Sequence, residues 1–253
     1  MIRQMLFALG LALAGQTHAA WTLGPVRELG SLGGSAKAWE RDATQGDRRV
    51  RISGVTFSER QATFQVIDNP PSARVSLGEA LKNAGAVAGI NGSYFHPDFT
   101  PLGLTISQGK TIHGYEKAKL LSGILLVQKS RIELIRATSQ GSASHDQAIQ
   151  AGPWLVEKGT PIASLNALKL ARRSVIITDG KGNWGIVAFS AASLADTAAI
   201  LARPGFAGAW SVRDSLNLDG GSSTALVAFE NGRTVINIPS FGSVRNYLAI
   251  VPR

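Results

Sequence analysis

At 253 residues, with 44% hydrophobic and 17% charged side chains, the sequence is long and apolar enough to bury a sizeable core and excludes an intrinsically disordered chain. Its 26 basic and 17 acidic residues give a formal charge of +9, which favours anionic partners such as phosphate esters, nucleic acid or acidic envelope polymers; a basic surface serving solubility alone fits equally well. The absence of cysteine excludes disulfides, thiolate metal sites, cysteine nucleophiles and an acylated cysteine at a leader junction.

The N-terminus reads as a signal peptide over residues 1–19. Arg3 supplies the positive region, Met5 to Gly15 the short apolar run, and Thr17-His18-Ala19 small residues at the two cleavage positions. Cleavage after Ala19 predicts a periplasmic or secreted protein, and no later stretch is apolar for long enough to span a membrane. One domain is expected over 20–253.

Residues 20 to 50 are mixed, with turn signals at Gly33-Gly34-Ser35 and Thr44-Gln45-Gly46-Asp47. Val50 to Val55 and Thr63 to Ile67 alternate as strands do, and Asn69-Pro70-Pro71 closes the second. Ser76 and Glu79 have capping-box spacing before an apolar face of Leu77, Ala80, Leu81 and Ala84, and Gly85 supplies the stop, so a helix is predicted there. Ala86 to Ile90 is a short buried strand leading into Asn91-Gly92. Hairpins are predicted for Leu104–Ser107 with Thr111–His113, and for Gly123–Gln128 with Arg131–Arg136. Ala148 to Val156 reads as one apolar strand. Ser174–Thr178 and Trp184–Phe189 flank a Gly-rich turn that begins at Asp179. A second helix starts at Ser193, with Asp196 three residues on, and ends at Pro204-Gly205. Strands at Leu216–Leu218, Thr224–Phe229, Thr234–Ile238 and Tyr247–Val251 follow. The expected fold class is α+β: a single strand-rich domain, a mixed β-sheet with a few flanking helices.

Three segments break ordinary strand logic. Asn91-Gly92-Ser93-Tyr94-Phe95 places amide and aromatic side chains after a buried strand, a combination that suits the hydroxyl edges and apolar faces of a sugar; a plain hairpin turn is the alternative. Gln150-Ala151-Gly152-Pro153 interrupts an apolar run. Gln150 can donate and accept, as a sugar hydroxyl pair requires, while a β-bulge explains Gly152 equally well. In Asp219-Gly220-Gly221-Ser222-Ser223 an acid at a strand end meets two glycines and a run of hydroxyls. That arrangement places a carboxylate beside backbone N–H groups able to cradle an anion, or forms a simple Asp-Gly hairpin. Arg172, Arg173 and Arg245 offer planar guanidinium groups suited to phosphate. His96, His113 and His145 have no zinc-motif spacing, and neither a Walker loop nor a Gly-x-Ser-x-Gly elbow occurs.

The order of these segments, with Arg173-Ser174 and Asp179-Gly180 between the second and third, resembles the phosphodiester glycosidase family over roughly residues 75 to 252. The family usually carries threonine where this chain has Ser174, and phenylalanine is common where it has Tyr94. The resemblance implies an exported hydrolase that cuts the glycosidic C–O bond of a sugar-1-phosphodiester in envelope glycan or exopolysaccharide metabolism. It implies Asp219, Arg173 and Asn91 as catalytic residues. Tyr94, Phe95, Gln150, Gly152, Gly220, Gly221 and Ser222 are the implied substrate contacts, to which the hydroxyl run adds Ser223 and the guanidinium reading adds Arg245. A sugar-phosphate or glycan is the implied partner, with no nucleic acid and no membrane span. The resemblance fixes no cofactor, a divalent cation such as calcium is compatible, and the oligomeric state is open. The chemistry is consistent, because a phosphate monoester is a weakly basic leaving group: the site must bind phosphate and stabilise an oxocarbenium-like charge more than it must supply a strong acid. Two alternatives stay open, a non-catalytic module that binds anionic glycans and a phosphodiesterase that cuts P–O.

Overall fold

The computed structural model describes residues 20–129, 131–138 and 145–253; the expected leader lies outside them. Strands dominate, and only two short α-helices occur among the described residues, so the fold is mostly β rather than the expected α+β. Every strand pairing in it is antiparallel, which also corrects the expected mixed sheet. The physical reason lies in the connections. Most are tight turns of a few residues, which reverse the chain, whereas parallel pairing needs a long crossover.

The strands form three sheets. The largest centres on Ala36–Gln45, Arg48–Ser58, Asn183–Ala192, Ala171–Thr178 and Asp214–Asn217, with Trp154–Glu157 beyond. A second contains Arg131–Arg136, Gly123–Gln128, Gln147–Ala151, Thr105–Ser107 and Lys110–His113. The third runs Arg233–Ile238, Leu226–Glu230, Ala88–Asn91, Asn246–Pro252 and Ala62–Asp68. All three turn a face to one core, where Phe64, Ile90, Leu125, Ile149, Ile176 and Leu216 meet. Alternation then sends Val175 and Ile177 to the opposite face of the largest sheet, against helix α2 (Leu194–Leu201). Its stretch Val175–Ile177 is apolar without alternation because both faces are covered there. Helix α1 (Leu77–Asn83) covers the outer face of the third sheet through Leu77 and Leu81.

Both helices start where their caps predict. The Ser76 hydroxyl accepts from Glu79 N–H, and Ser193 with Asp196 completes a full capping box. Gly85 ends the first helix with φ +62°. Two expectations need correction. The mixed segment 20–50 forms strands Thr22–Leu23, Arg27–Gly33 and Ala36–Gln45, and the latter two pair with each other. The single strand expected over 148–156 is two strands in different sheets, Gln147–Ala151 and Trp154–Glu157, separated at a cis Gly152–Pro153 bond.

That division positions the site. The end of Ala88–Asn91, the start of Asn246–Pro252, the start of Ala171–Thr178, the end of Asp214–Asn217 and the end of Gln147–Ala151 converge on one rim. The backbone bonds Gly92 N–H to Asn246 O (2.9 Å), Asp219 N–H to Gly92 O (3.1 Å), Leu218 N–H to Ser174 O (2.8 Å) and Asn217 N–H to Pro153 O (3.0 Å) tie the strand ends together.

Candidate active site

Asn91 is fully buried and acts as a knot. Its Nδ2 donates to the Asp219 carbonyl (2.7 Å), and its Oδ1 accepts from the Ser174 hydroxyl (2.5 Å) and from Ala225 N–H (3.1 Å). Ser174 Oγ also lies 3.2 Å from Thr224 Oγ1. One amide thus joins the ends of the third sheet to both flanks of the loop 219–224. The neighbouring turn needs glycine: a Cβ on Gly92 would lie 1.9 Å from Asn246 Oδ1, which accepts from Ser93 N–H (2.8 Å).

A second cluster surrounds Tyr94, which is partly buried. The Tyr94 hydroxyl donates to the Gly152 carbonyl (2.6 Å). Asn217 Nδ2 donates to that hydroxyl (2.9 Å) and to the same carbonyl (3.0 Å). A Cβ on Gly152 would lie 1.9 Å from the Leu120 carbonyl, so this corner also requires glycine. Burial raises the Tyr94 pKa, and the Asp219 carboxylate raises it further, so the phenol stays protonated and acts as a fixed donor. Asp219 is half-buried. Burial pushes its pKa above the ordinary carboxylate range, opposed by hydrogen bonds from Ser223 and from Gly220 N–H (2.8 Å).

The loop after Asp219 makes a 3-10 turn, Gly221–Ser223, with Gly221 at φ +63°, where glycine is the residue least strained. Gly220 is required by close approach instead, since a Cβ there would lie 2.8 Å from the Arg172 carbonyl. The N–H groups of Ser223 and Thr224 bond within the turn (3.2 and 3.3 Å). Those of Gly221 and Ser222 have no partner among the described residues, and the Ser222 side chain is exposed. Two such N–H groups beside a hydroxyl are an acceptable cradle for an anionic oxygen.

Arg173 is buried, with Nε on the Ala192 carbonyl (2.9 Å) and an Nη on the Lys169 carbonyl (2.7 Å). Among the described residues no carboxylate lies within 4 Å of it. Burial lowers its pKa, though a guanidinium stays charged, and its charge is felt at Tyr94.

Other predicted positions fall differently. Gln150 is fully buried and saturated: Oε1 accepts from Leu104 N–H (2.9 Å) and Glu116 N–H (3.1 Å), and Nε2 donates to the carbonyls of Glu116 (2.7 Å) and Leu121 (3.3 Å). It braces the segment 103–121 rather than offering bonds to a ligand. Arg245 is buried and paired with Asp68, so its charge is already neutralised, and it is not among the charges that act on Tyr94, which are those of Asp219 and Arg173. Phe95 stacks on Phe99 with ring centroids 5.2 Å apart, and Arg74 covers Phe99. Asn217 went unmarked because it reads as part of an apolar strand; its position two residues before Asp219, on the same strand face, was the available signal. Among the described residues no group of three His, Cys, Asp or Glu side chains would hold a metal ion.

The sequence profile of the phosphodiester glycosidase family matches residues 84–251. This chain belongs to that family. In solved structures, the phosphodiester glycosidase fold described above is similar to a hypothetical protein from Synechocystis (TM-score 0.63, 17% identity), covering 91% of this chain and 64% of that one. It is also similar to the catalytic domain of zebrafish N-acetylglucosamine-1-phosphodiester α-N-acetylglucosaminidase, auto-inhibited by its pro-peptide (TM-score 0.61, 16% identity), covering 94% of this chain and 86% of that one. A third similarity is to an exported protein of Burkholderia pseudomallei (TM-score 0.58, 12% identity; 81% and 74% covered). At these identities the likeness is one of fold. No curated protein matches in sequence.

Proposed function

We propose that this phosphodiester glycosidase is an exported hydrolase that cleaves the anomeric C–O bond of a sugar-1-phosphodiester in envelope glycan or exopolysaccharide metabolism. The observation that carries the reading is the group around Tyr94: Asp219, half-buried with a raised pKa, and Arg173, paired with no carboxylate among the described residues, both act electrostatically on the phenol, and two N–H groups without a partner among the described residues follow Asp219.

In this reading water attacks the anomeric carbon. The C1–O bond breaks, and its electron pair leaves with the phosphate monoester. Asp219 stabilises the developing oxocarbenium charge or takes the proton of the attacking water. Its raised pKa makes it a better base than an exposed carboxylate. Arg173 and the N–H groups of Gly221 and Ser222 bind the phosphate oxygens. The Tyr94 hydroxyl, fixed by Asn217 and Gly152, forms the opposite wall. Asn91 holds the Asp219 loop in place; it is a positioning residue.

Hydrolysis of a sugar-1-phosphodiester in heavy-oxygen water tests the proposal. Label is expected in the sugar. Label in the phosphate would reassign the chain as a phosphodiesterase that cuts P–O, and absence of turnover across a broad panel of glycosyl phosphodiesters would reassign it as a glycan-binding module.

A further inference from the structure

Soluble proteins bury most large apolar side chains, so the places where they stand out carry information. Among the described residues five large apolar side chains are exposed, and four of them border the site. They are Leu120 (42% exposed), Leu168 (90%), Leu170 (58%) and Phe241 (78%). They sit on three segments distant in sequence, each touching the site directly. The Leu120 carbonyl packs on Gly152, the Lys169 carbonyl between Leu168 and Leu170 accepts from Arg173 (2.7 Å), and Phe241 N–H donates to the Ser222 carbonyl (2.7 Å).

Charge follows the same segments. Residues 117–122, 163–173 and 239–245 hold the exposed Lys117, Lys119 and Lys169, the partly exposed Arg172 and no acidic side chain; Arg173 and Arg245 on the same segments are buried and are not part of this surface charge. Arg172 supports the Phe241 ring from 4.6 Å while bonding the Pro239 carbonyl (2.9 Å), so this aromatic tip is held outward rather than left loose. Beside it opens a cavity of about 330 Å³ walled by Phe189, Ile238, Pro239 and Phe241, with Arg51 and Arg172 at its margin.

We infer that this rim seats the protein on an anionic lipid surface, with the mouth of the site turned toward the bilayer. Leucine and phenylalanine tips spaced among lysines match what a phospholipid interface offers: an acyl boundary for the tips and headgroup charge for the cations. A protein partner would more naturally meet a continuous apolar patch than separate tips on three loops. The inference concerns where a substrate is presented and does not use the chemistry at Asp219, so it can fail separately from the proposed reaction.

Because the chain has no cysteine, single positions can be labelled cleanly. The full chain carrying Leu168→Cys or Phe241→Cys, labelled with an environment-sensitive fluorophore, is mixed with vesicles of phosphatidylcholine or of phosphatidylcholine with one third phosphatidylglycerol. Lys181→Cys, in the turn beyond the opposite end of the strand Ala171–Thr178, is the control, and it also accounts for binding through the leader. Emission at 168 and 241 is expected to rise about twofold or more with the anionic vesicles only, with little change at 181. Raising salt from about 0.05 to 0.5 M is expected to weaken the response roughly tenfold. The double variant Leu168→Ser/Phe241→Ser is expected to lose vesicle binding roughly fivefold or more while keeping turnover of a soluble diester. Equal responses at 168, 241 and 181, or equal responses to neutral vesicles, would overturn the inference. So would a response to a soluble anionic polysaccharide with none to vesicles.

Discussion

The two sides of the loop 219–224 are built from the same kinds of residue and behave in opposite ways. On the inner side Asn91, Ser174 and Thr224 form a closed set: each polar atom of the Asn91 amide has a partner, and all of it is buried. On the outer side Asp219 is half-buried with a raised pKa, and among the described residues Arg173 pairs with no carboxylate and the N–H groups of Gly221 and Ser222 have no partner. Saturated polar groups in a core hold a shape; unsaturated ones at its rim are available to a ligand. Gln150 falls on the saturated side by the same test, whereas Arg245 pairs with Asp68 and leaves its Nε buried without a partner among the described residues.

Substitutions can break this division. On the outer side, Asp219→Asn keeps the volume and an oxygen able to accept from Gly220 N–H, and removes the charge. Turnover of a sugar-1-phosphodiester is expected to fall by about 10³-fold or more, with the circular dichroism spectrum unchanged. Near-normal kcat would remove Asp219 from the centre of the reaction. On the inner side, Asn91→Ala leaves the Asp219 carbonyl, Ala225 N–H and Ser174 hydroxyl without their partner. Unfolding in urea should show a loss of about 3 kcal/mol. Activity should fall with it, because the loop loses its anchor; wild-type stability would mean the knot holds nothing.

Arg173→Ala separates charge from shape. If the guanidinium binds phosphate, kcat/KM on the sugar-1-phosphodiester should drop by about 10²-fold while a neutral aryl glycoside changes by much less. Equal losses on the two substrates would assign Arg173 to bracing the carbonyls of Ala192 and Lys169 instead.

How much of this was legible in the sequence depends on how local the signal is. Both helices announce themselves through Ser76 and Ser193, since a cap and its third residue sit side by side in the chain. The strand Ala36–Gln45 was hidden because it is buried on both faces and its buried positions include Ala36, Ala38 and Ala43, whose small side chains give a weak periodic signal. The preceding strand Arg27–Gly33 is largely exposed and glycine-rich, so its pairing is set by its neighbour rather than by its own pattern. Gly152-Pro153 was visible as an interruption, but its consequence was not: the chain leaves one sheet for another there, a long-range event. At the site, the glycines and Asp219 were legible because turns have local chemistry. The saturation of Gln150 was not, because its partners at Leu104, Glu116 and Leu121 come from far along the chain.

The smallest effect expected is also the one that tests the electrostatics without any substrate. Burial raises the Asp219 pKa in the folded protein above its value in the unfolded chain. An acid shifted upward binds its proton more tightly when folded. Its stabilising contribution is therefore complete below the unfolded value of 3.8 and is lost as pH rises through the folded value. Above that window the wild-type fold carries an imperfectly solvated carboxylate, and Asp219→Asn does not. The variant should consequently melt higher than wild type at pH 7, by about 2–4 °C, the span in which a change of order 1 kcal/mol falls for a chain of this size. The gap should close as the pH is taken below 3.8, where the wild-type carboxyl is also neutral. A variant that melts lower than wild type at pH 7 would mean that the bonds from Ser223 and Gly220 outweigh burial. Asp219 would then belong with Asn91 among the groups that hold the loop, and the division between the two sides would move.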